Sequence, residues 1–210
     1  MKTITILLSI ILVISFSFLS CAQDRYIRFE AQTVTLQDFE AEGYILAIGG
    51  GGEGTIGRLK GSQVVAIDIR KSELLEAPDG ALKIIMDARD LQFLDHTFNT
   101  ATAFFTMMYI KGNDHEKVFR EVNRVLKPGG KFLIWDAIIH KSTDGKKDRV
   151  IVPLNIKLPK GDVETGYGVA LPEEDHDLDY YISLAKKTGF KVISEKSENK
   201  VLFLELQKPN

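Results

Sequence analysis

The segment Tyr44–Gly54 reads YILAIGGGGEG, and its reading decides the fold. Tyr44–Ile48 is a short continuous apolar run, the pattern of a strand buried on both faces. It feeds directly into glycines, and Gly49, Gly51 and Gly54 carry the G-x-G-x-x-G spacing. Glycine lets a backbone turn sharply and approach a ligand closely. Glu53–Lys60 predicts a helix that starts on the loop and offers unpaired N–H groups. A second apolar run, Val64–Ile67, ends at Asp68. That acid lies about 20 residues past the first glycine, where a carboxylate accepts hydrogen bonds from ribose hydroxyls. Strand, glycine loop, helix, strand and acid describe a nucleotide-binding βαβ unit, so an adenosine-type cofactor is expected.

Further strands follow on the C-terminal side. Leu82–Met86 is a third apolar run, ending at Asp87 in MDARDL, and Thr100–Phe105 is a fourth, rich in β-branched and aromatic residues. Asp87 would face adenine at the strand end, with a helix N-cap as its other reading. Most of Phe104, Phe105, Met107, Met108 and Tyr109 should be core, with Phe105 or Met107 lining a pocket. Val118, Val122, Val125 and Leu126 repeat at helical spacing over Asp114–Leu126, with Asn113 or Asp114 as N-cap. Lys127-Pro128-Gly129-Gly130 stops that helix, and Lys131–Ile139 is a fifth strand. Alternating strands and helices predict a parallel sheet covered on both faces.

The remaining segments break the pattern. Tyr26–Leu36 alternates weakly and reads as an edge strand or lead-in. Val150–Leu158 alternates, with Pro153 inside it and Pro159 directly after it, which predicts an edge hairpin or flap. Glu173–Thr188 is a helix candidate whose acidic start, Glu173–Asp179, reads as solvated. Phe190–Ser194 and Val201–Leu206 are joined by a link too short for a parallel crossover, so they pair antiparallel.

Composition narrows the functions. A formal net charge of -2, with no basic stripe, argues against nucleic acid as a partner. Thr3–Leu19 is apolar after Lys2 and ends at Ser20-Cys21-Ala22, so residues 1–22 read as a secretory signal or a membrane anchor. Residues 23–210 read as a single folded domain. Cys21 is the single cysteine, which excludes a disulfide framework and a multi-cysteine metal site. The four histidines have no zinc-like spacing. His115 reads as a capping or surface residue and His176 as part of the acidic run; His140, after the fifth strand, is the candidate general base.

These motifs resemble those of the class I S-adenosylmethionine-dependent methyltransferases. YILAIGGGGEG looks like their first motif, VVAID their ribose motif and MDARDL their adenine motif. FNTATAFFTMMYI is similar to their fourth-strand segment, and VFREVNRVLKPGGKFLIWD to their helix, turn and fifth strand. The resemblance covers roughly Tyr44–Asp136, and the closing strand pair fits it. It implies a Rossmann-like, doubly wound α/β fold with a seven-stranded sheet, mostly parallel, whose last strand is antiparallel. It implies S-adenosylmethionine as cofactor and a small-molecule methyl acceptor as partner. Gly49, Gly50, Gly51 and Gly54 would cradle the cofactor, Asp68 would bind its ribose and Ile69 would pack on adenine. Asp87 and the Ala88 amide would read the adenine edge, and Phe105 would line the pocket. Two positions depart from the pattern: Ala47 stands where the family usually has an acid, and Asn99 where it often has Asp.

Phe18-Leu19-Ser20-Cys21 resembles a bacterial lipobox, which implies export or attachment through Cys21. A membrane anchor would instead leave the domain facing the cytoplasm. Export would part a methyltransferase from its methyl donor, so a non-catalytic ligand-binding protein is the alternative function. A nicotinamide-dependent oxidoreductase is a further one. No Tyr is followed by Lys four positions later, which removes the usual short-chain reductase pair.

Overall fold

A computed structural model describes residues 25–143 and 145–210. The apolar segment and Cys21 lie outside the described residues. In chain order the elements are β1 (Tyr26–Arg28), β2 (Gln32–Thr35), β3 (Ile45–Ile48), α1 (Thr55–Lys60), β4 (Val64–Asp68), α2 (Lys71–Glu76), β5 (Leu82–Ile85) and β6 (Phe98–Phe104). They continue with α3 (Gly112–Val125), β7 (Leu126–Ala137), β8 (Arg149–Lys157), β9 (Val163–Ala170), α4 (Leu178–Lys187), β10 (Lys191–Glu198) and β11 (Val201–Gln207).

Seven strands form one sheet in the order β10-β11-β7-β6-β3-β4-β5. β3, β4, β5, β6 and β7 run parallel, and β11 is antiparallel to both β7 and β10. This is the expected α/β sheet with its antiparallel last strand. All four residues of β3 are buried, as a strand between β4 and β6 with both faces covered requires. α3 turns Val118, Phe119, Val122 and Val125 inward at helical spacing, against Phe132 and the α4 residues Tyr181, Leu184 and Ala185. Those two helices cover one face.

The other face holds the main departure from a doubly wound fold. α1 and α2 are six residues each and cover only part of it. A second, four-stranded sheet covers the rest: β8 pairs antiparallel with β9 on one side and parallel with β1 and β2 on the other. Val150, Val152, Leu154 and Ile156 of β8 point inward and pack in one cluster with Ala47, Ala66, Phe104 and Ala137 of the large sheet. β8 is therefore a central strand and not an edge. Pro153 is tolerated because it lies level with the break between β1 and β2, where the ladder on that side is interrupted. The connection from β5 to β6 contains no helix.

Three local readings are corrected. Neither Asn113 nor Asp114 caps α3; its N-cap is Lys111, without a side-chain bond. The KPGG segment does not precede the fifth strand but forms its bulged start, tied to the chain end by Gly129 N–H to Lys208 O (2.9 Å) and Lys208 N–H to Gly130 O (2.8 Å). The acidic run mostly precedes α4, which begins where the Asp177 carboxylate accepts the Tyr180 N–H (2.9 Å).

Candidate functional site

The carboxyl ends of β3, β4, β5 and β6 open on a single cavity of about 1020 Å³, roofed by Gly166, Tyr167 and Gly168 of β9. All nine residues assigned from sequence to cofactor binding line it: Gly49, Gly50, Gly51, Gly54, Asp68, Ile69, Asp87, Ala88 and Phe105.

The glycine loop is closed in by the protein on three sides. Gly49 has φ +62, and a Cβ there would lie 2.4 Å from the Thr106 side chain. On Gly51 a Cβ would lie 2.4 Å from the Glu73 Cβ and 3.0 Å from Asp68 Oδ2. Gly50 donates to Ile67 O (3.0 Å) and Gly52 to Glu73 O (2.8 Å), so β4 and α2 fix the loop. Ala47, buried beneath it, contributes only a methyl group.

Asp68 accepts the Arg70 N–H at Oδ1 (2.8 Å) and sits between the loop and Ile69, which is well exposed on the cavity rim. Asp87 is already engaged. Arg89 donates to it through Nε (3.0 Å to each oxygen), Nη2 (2.7 Å) and its backbone N–H (2.9 Å), and reaches Asp114 with Nη1 (2.8 Å). These bonds hold the Asp87 carboxyl below the usual carboxylate range. An adenine amine at Asp87 would share it with Arg89. Phe105 takes φ +50, a conformation rare for a bulky residue, with its N–H bound to Trp135 O (2.7 Å).

Several cavity groups were not foreseen from sequence. The Glu53 carboxylate accepts hydrogen bonds from Thr165 Oγ1 and from the Tyr167 hydroxyl (2.9 Å). Burial, reinforced by Glu53, raises the Tyr167 phenol well above its ordinary value. Its ring meets Phe105 at 5.9 Å and Tyr109 at 6.1 Å between centroids, forming an aromatic wall. Tyr109 is partly exposed, and burial pushes its phenol up to about 12. No spacing rule links residue 53 to residue 167; β9 brings them together.

Behind the wall is a buried polar cluster. His115 and His176 are both buried, against their sequence readings. His115 Nε2 donates to Met107 O (2.9 Å), so Nδ1 accepts from the Tyr180 hydroxyl (2.8 Å). His176 is drawn under the surface by its backbone bridge to Ile139 and stacks on Tyr180. Burial lowers its pKa to about 4 and also lowers that of His115. Asp136 is fully buried; it accepts the Ala137 N–H (2.8 Å) and the Met108 N–H (3.3 Å), and desolvation raises it to about 7. His140 is exposed, lies 3.3 Å from Asp175, and is not among the cavity residues. His140, Asp175 and Asp177 bring three donor atoms within 4.8 Å of one another at the surface.

Comparison with known proteins gives this geometry a family context. Residues 46–134 match the family model described as a methyltransferase domain. The matched stretch runs from β3 through most of β7 and so contains the glycine loop, Asp68 and Asp87. A sterol 4-C-methyltransferase of Caenorhabditis elegans is 43% identical over 65 residues, covering 31% of this chain and 18% of that protein. A sterol methyltransferase-like protein of Botryococcus braunii is 31% identical over 114 residues, covering 48% of this chain and 28% of that one. The chain thus spans less than a third of the length of these two relatives. A structure described as a SAM-dependent methyltransferase from Methanosarcina mazei superimposes with TM-score 0.59 at 16% identity, over 81% of this chain and 94% of that one. The methyltransferase-type Rossmann-like fold is thereby shown.

Proposed function

We propose that this domain binds S-adenosylmethionine across the ends of β3 to β6 and transfers its methyl group to a small-molecule acceptor. The observation that carries the reading is the convergence, in one cavity, of the glycine cradle and Asp68 inside the methyltransferase-domain match. The residues fit the group. Asp68 offers a carboxylate to a ribose diol, Ile69 an exposed apolar surface to a base, and Gly49–Gly51 a backbone surface with no room for side chains of their own. Bound there, S-adenosylmethionine would supply a sulfonium methyl to a nucleophile held in line with the carbon–sulfur bond. This chemistry depends chiefly on alignment, so the protein's task is positioning and exclusion of water. Tyr109, Tyr167 and Phe105 supply the aromatic wall against which an acceptor would lie.

Ala47 favours one alternative, a ligand-binding protein that keeps the fold without turnover, because the strand feeding the loop brings no acid to it. The apolar segment Thr3–Leu19 supports export or membrane attachment in either case, and fractionation of the native cell checks this.

Titration calorimetry of the chain from Gln23 onward, with S-adenosylmethionine, S-adenosylhomocysteine and NAD, tests the reading. Binding of both sulfur nucleosides is expected, with NAD failing to compete. Asp68→Ala should weaken binding at least about tenfold, the loss of one charge-assisted hydrogen bond or more. Absence of heat from both sulfur nucleosides at millimolar concentration would remove the cofactor claim. Unchanged affinity in the Asp68 variant would remove the ribose assignment.

A further inference from the structure

The cavity acids fall into two groups, since Glu53, Asp68 and Glu76 form no side-chain ion pair among the described residues and the others do. Asp87 and Asp114 are neutralised by Arg89, and Glu73 by Arg70 (3.1 Å). Glu53 is held only by two neutral hydroxyls, Thr165 Oγ1 and Tyr167 OH, and forms no ion pair among the described residues. Two donors fill about two of the four or so acceptor positions of a carboxylate, leaving the others open. The hydroxyls fix the group at the cavity boundary without cancelling its charge. A partly buried anion without a cationic partner is costly unless a ligand supplies one.

The strand order says which part of a ligand reaches it. Asp68 ends β4, and Ile69 and Asp87 lie toward the β5 edge. From Asp68 the opposite direction crosses β3, its glycine loop and the end of β6, where Thr106 and the roof residue Tyr167 stand. Glu53 is tied to that end by its bond from Tyr167, whose ring packs on Phe105 just beyond β6. With a ribose at Asp68 and a base toward β5, the tail of the ligand points to Glu53.

We infer that Glu53, held by Thr165 and Tyr167, is the anionic subsite for the α-ammonium group of the cofactor's amino-acid tail. This rests on the cofactor reading above. It also gives β9 a part in binding, since two of its side chains aim the carboxylate.

The test compares two ligands that share adenosine and a thioether but differ in the tail. S-adenosylhomocysteine has the ammonium; 5′-methylthioadenosine has a methyl group in place of the amino-acid chain. Glu53→Gln keeps size and an acceptor oxygen but removes the charge. It should weaken S-adenosylhomocysteine about tenfold, as expected for a lost charge-assisted bond, and leave 5′-methylthioadenosine within about twofold. Glu53→Asp, which retracts the charge, should show the same selectivity to a smaller degree, and thermal melting of each free variant confirms folding. Equal weakening of both ligands in the two variants would make Glu53 a structural latch only, and unchanged S-adenosylhomocysteine affinity would overturn the assignment. If wild-type protein binds neither ligand, the cofactor reading itself fails.

Discussion

Replacing Asp136 by Asn should change how stability depends on pH. Its carboxyl is fully buried at the end of β7, and desolvation raises its pKa from 3.8 to about 7. A raised carboxyl means that the folded chain holds a proton which the unfolded chain has already released. Its contribution is therefore full below about pH 4 and is lost as pH rises toward 7. Between pH 5 and pH 7 the proton held in the fold falls from nearly one to about one half, which amounts to about 2 kcal/mol. His115 and His176 tilt the wild-type curve the other way, since both are held neutral in the fold while the unfolded chain protonates below about pH 6.5. The informative quantity is thus the difference between Asp136→Asn and wild type, in which the histidine contributions cancel. Urea unfolding at pH 5, 6, 7 and 8 measures it. The variant should improve relative to wild type by about 2 kcal/mol from pH 5 to pH 7 and then level off. A flat difference across that range would show that Asp136 is ionised in the fold like an ordinary carboxylate, and the desolvation argument would fall.

Other outcomes follow from the same geometry. Tyr181→Phe should stabilise the protein by about 1 kcal/mol, because it removes a buried hydroxyl with no hydrogen-bond partner among the described residues, and should raise Tm. A lower Tm would reveal a partner for that hydroxyl. Gly49→Ala should cost about 1–3 kcal/mol, from a positive φ and a Cβ placed against Thr106, and should impair ligand binding. Unchanged urea midpoint and affinity would show that the loop yields freely. The ligand-binding losses in the Asp68 and Glu53 variants complete the set.

The βαβ unit, the closing hairpin and the cavity end of the sheet were legible in the sequence because they depend on neighbours. A strand buried on both faces must be continuously apolar, as in Tyr44–Ile48, and a turn with positive φ selects glycine, as at Gly49. Asp68 was findable because the chain itself carries the distance from loop to acid. The second sheet was not findable in this way. β8 pairs with β1 and β2 across more than a hundred residues, and alternation along Val150–Leu158 fixes which side chains are inward, not which strand lies beside them. The same limit hid the burial of His115 and His176, which are polar residues placed by packing and not by pattern. It also hid the Arg89 bridge between Asp87 and Asp114 and the grip of Thr165 and Tyr167 on Glu53. Local sequence thus determined the sheet, the glycine loop and the place of Asp68 at the end of β4. Tertiary structure alone decided the roof and the polar partners of the cavity, because those contacts join side chains that no local periodicity relates.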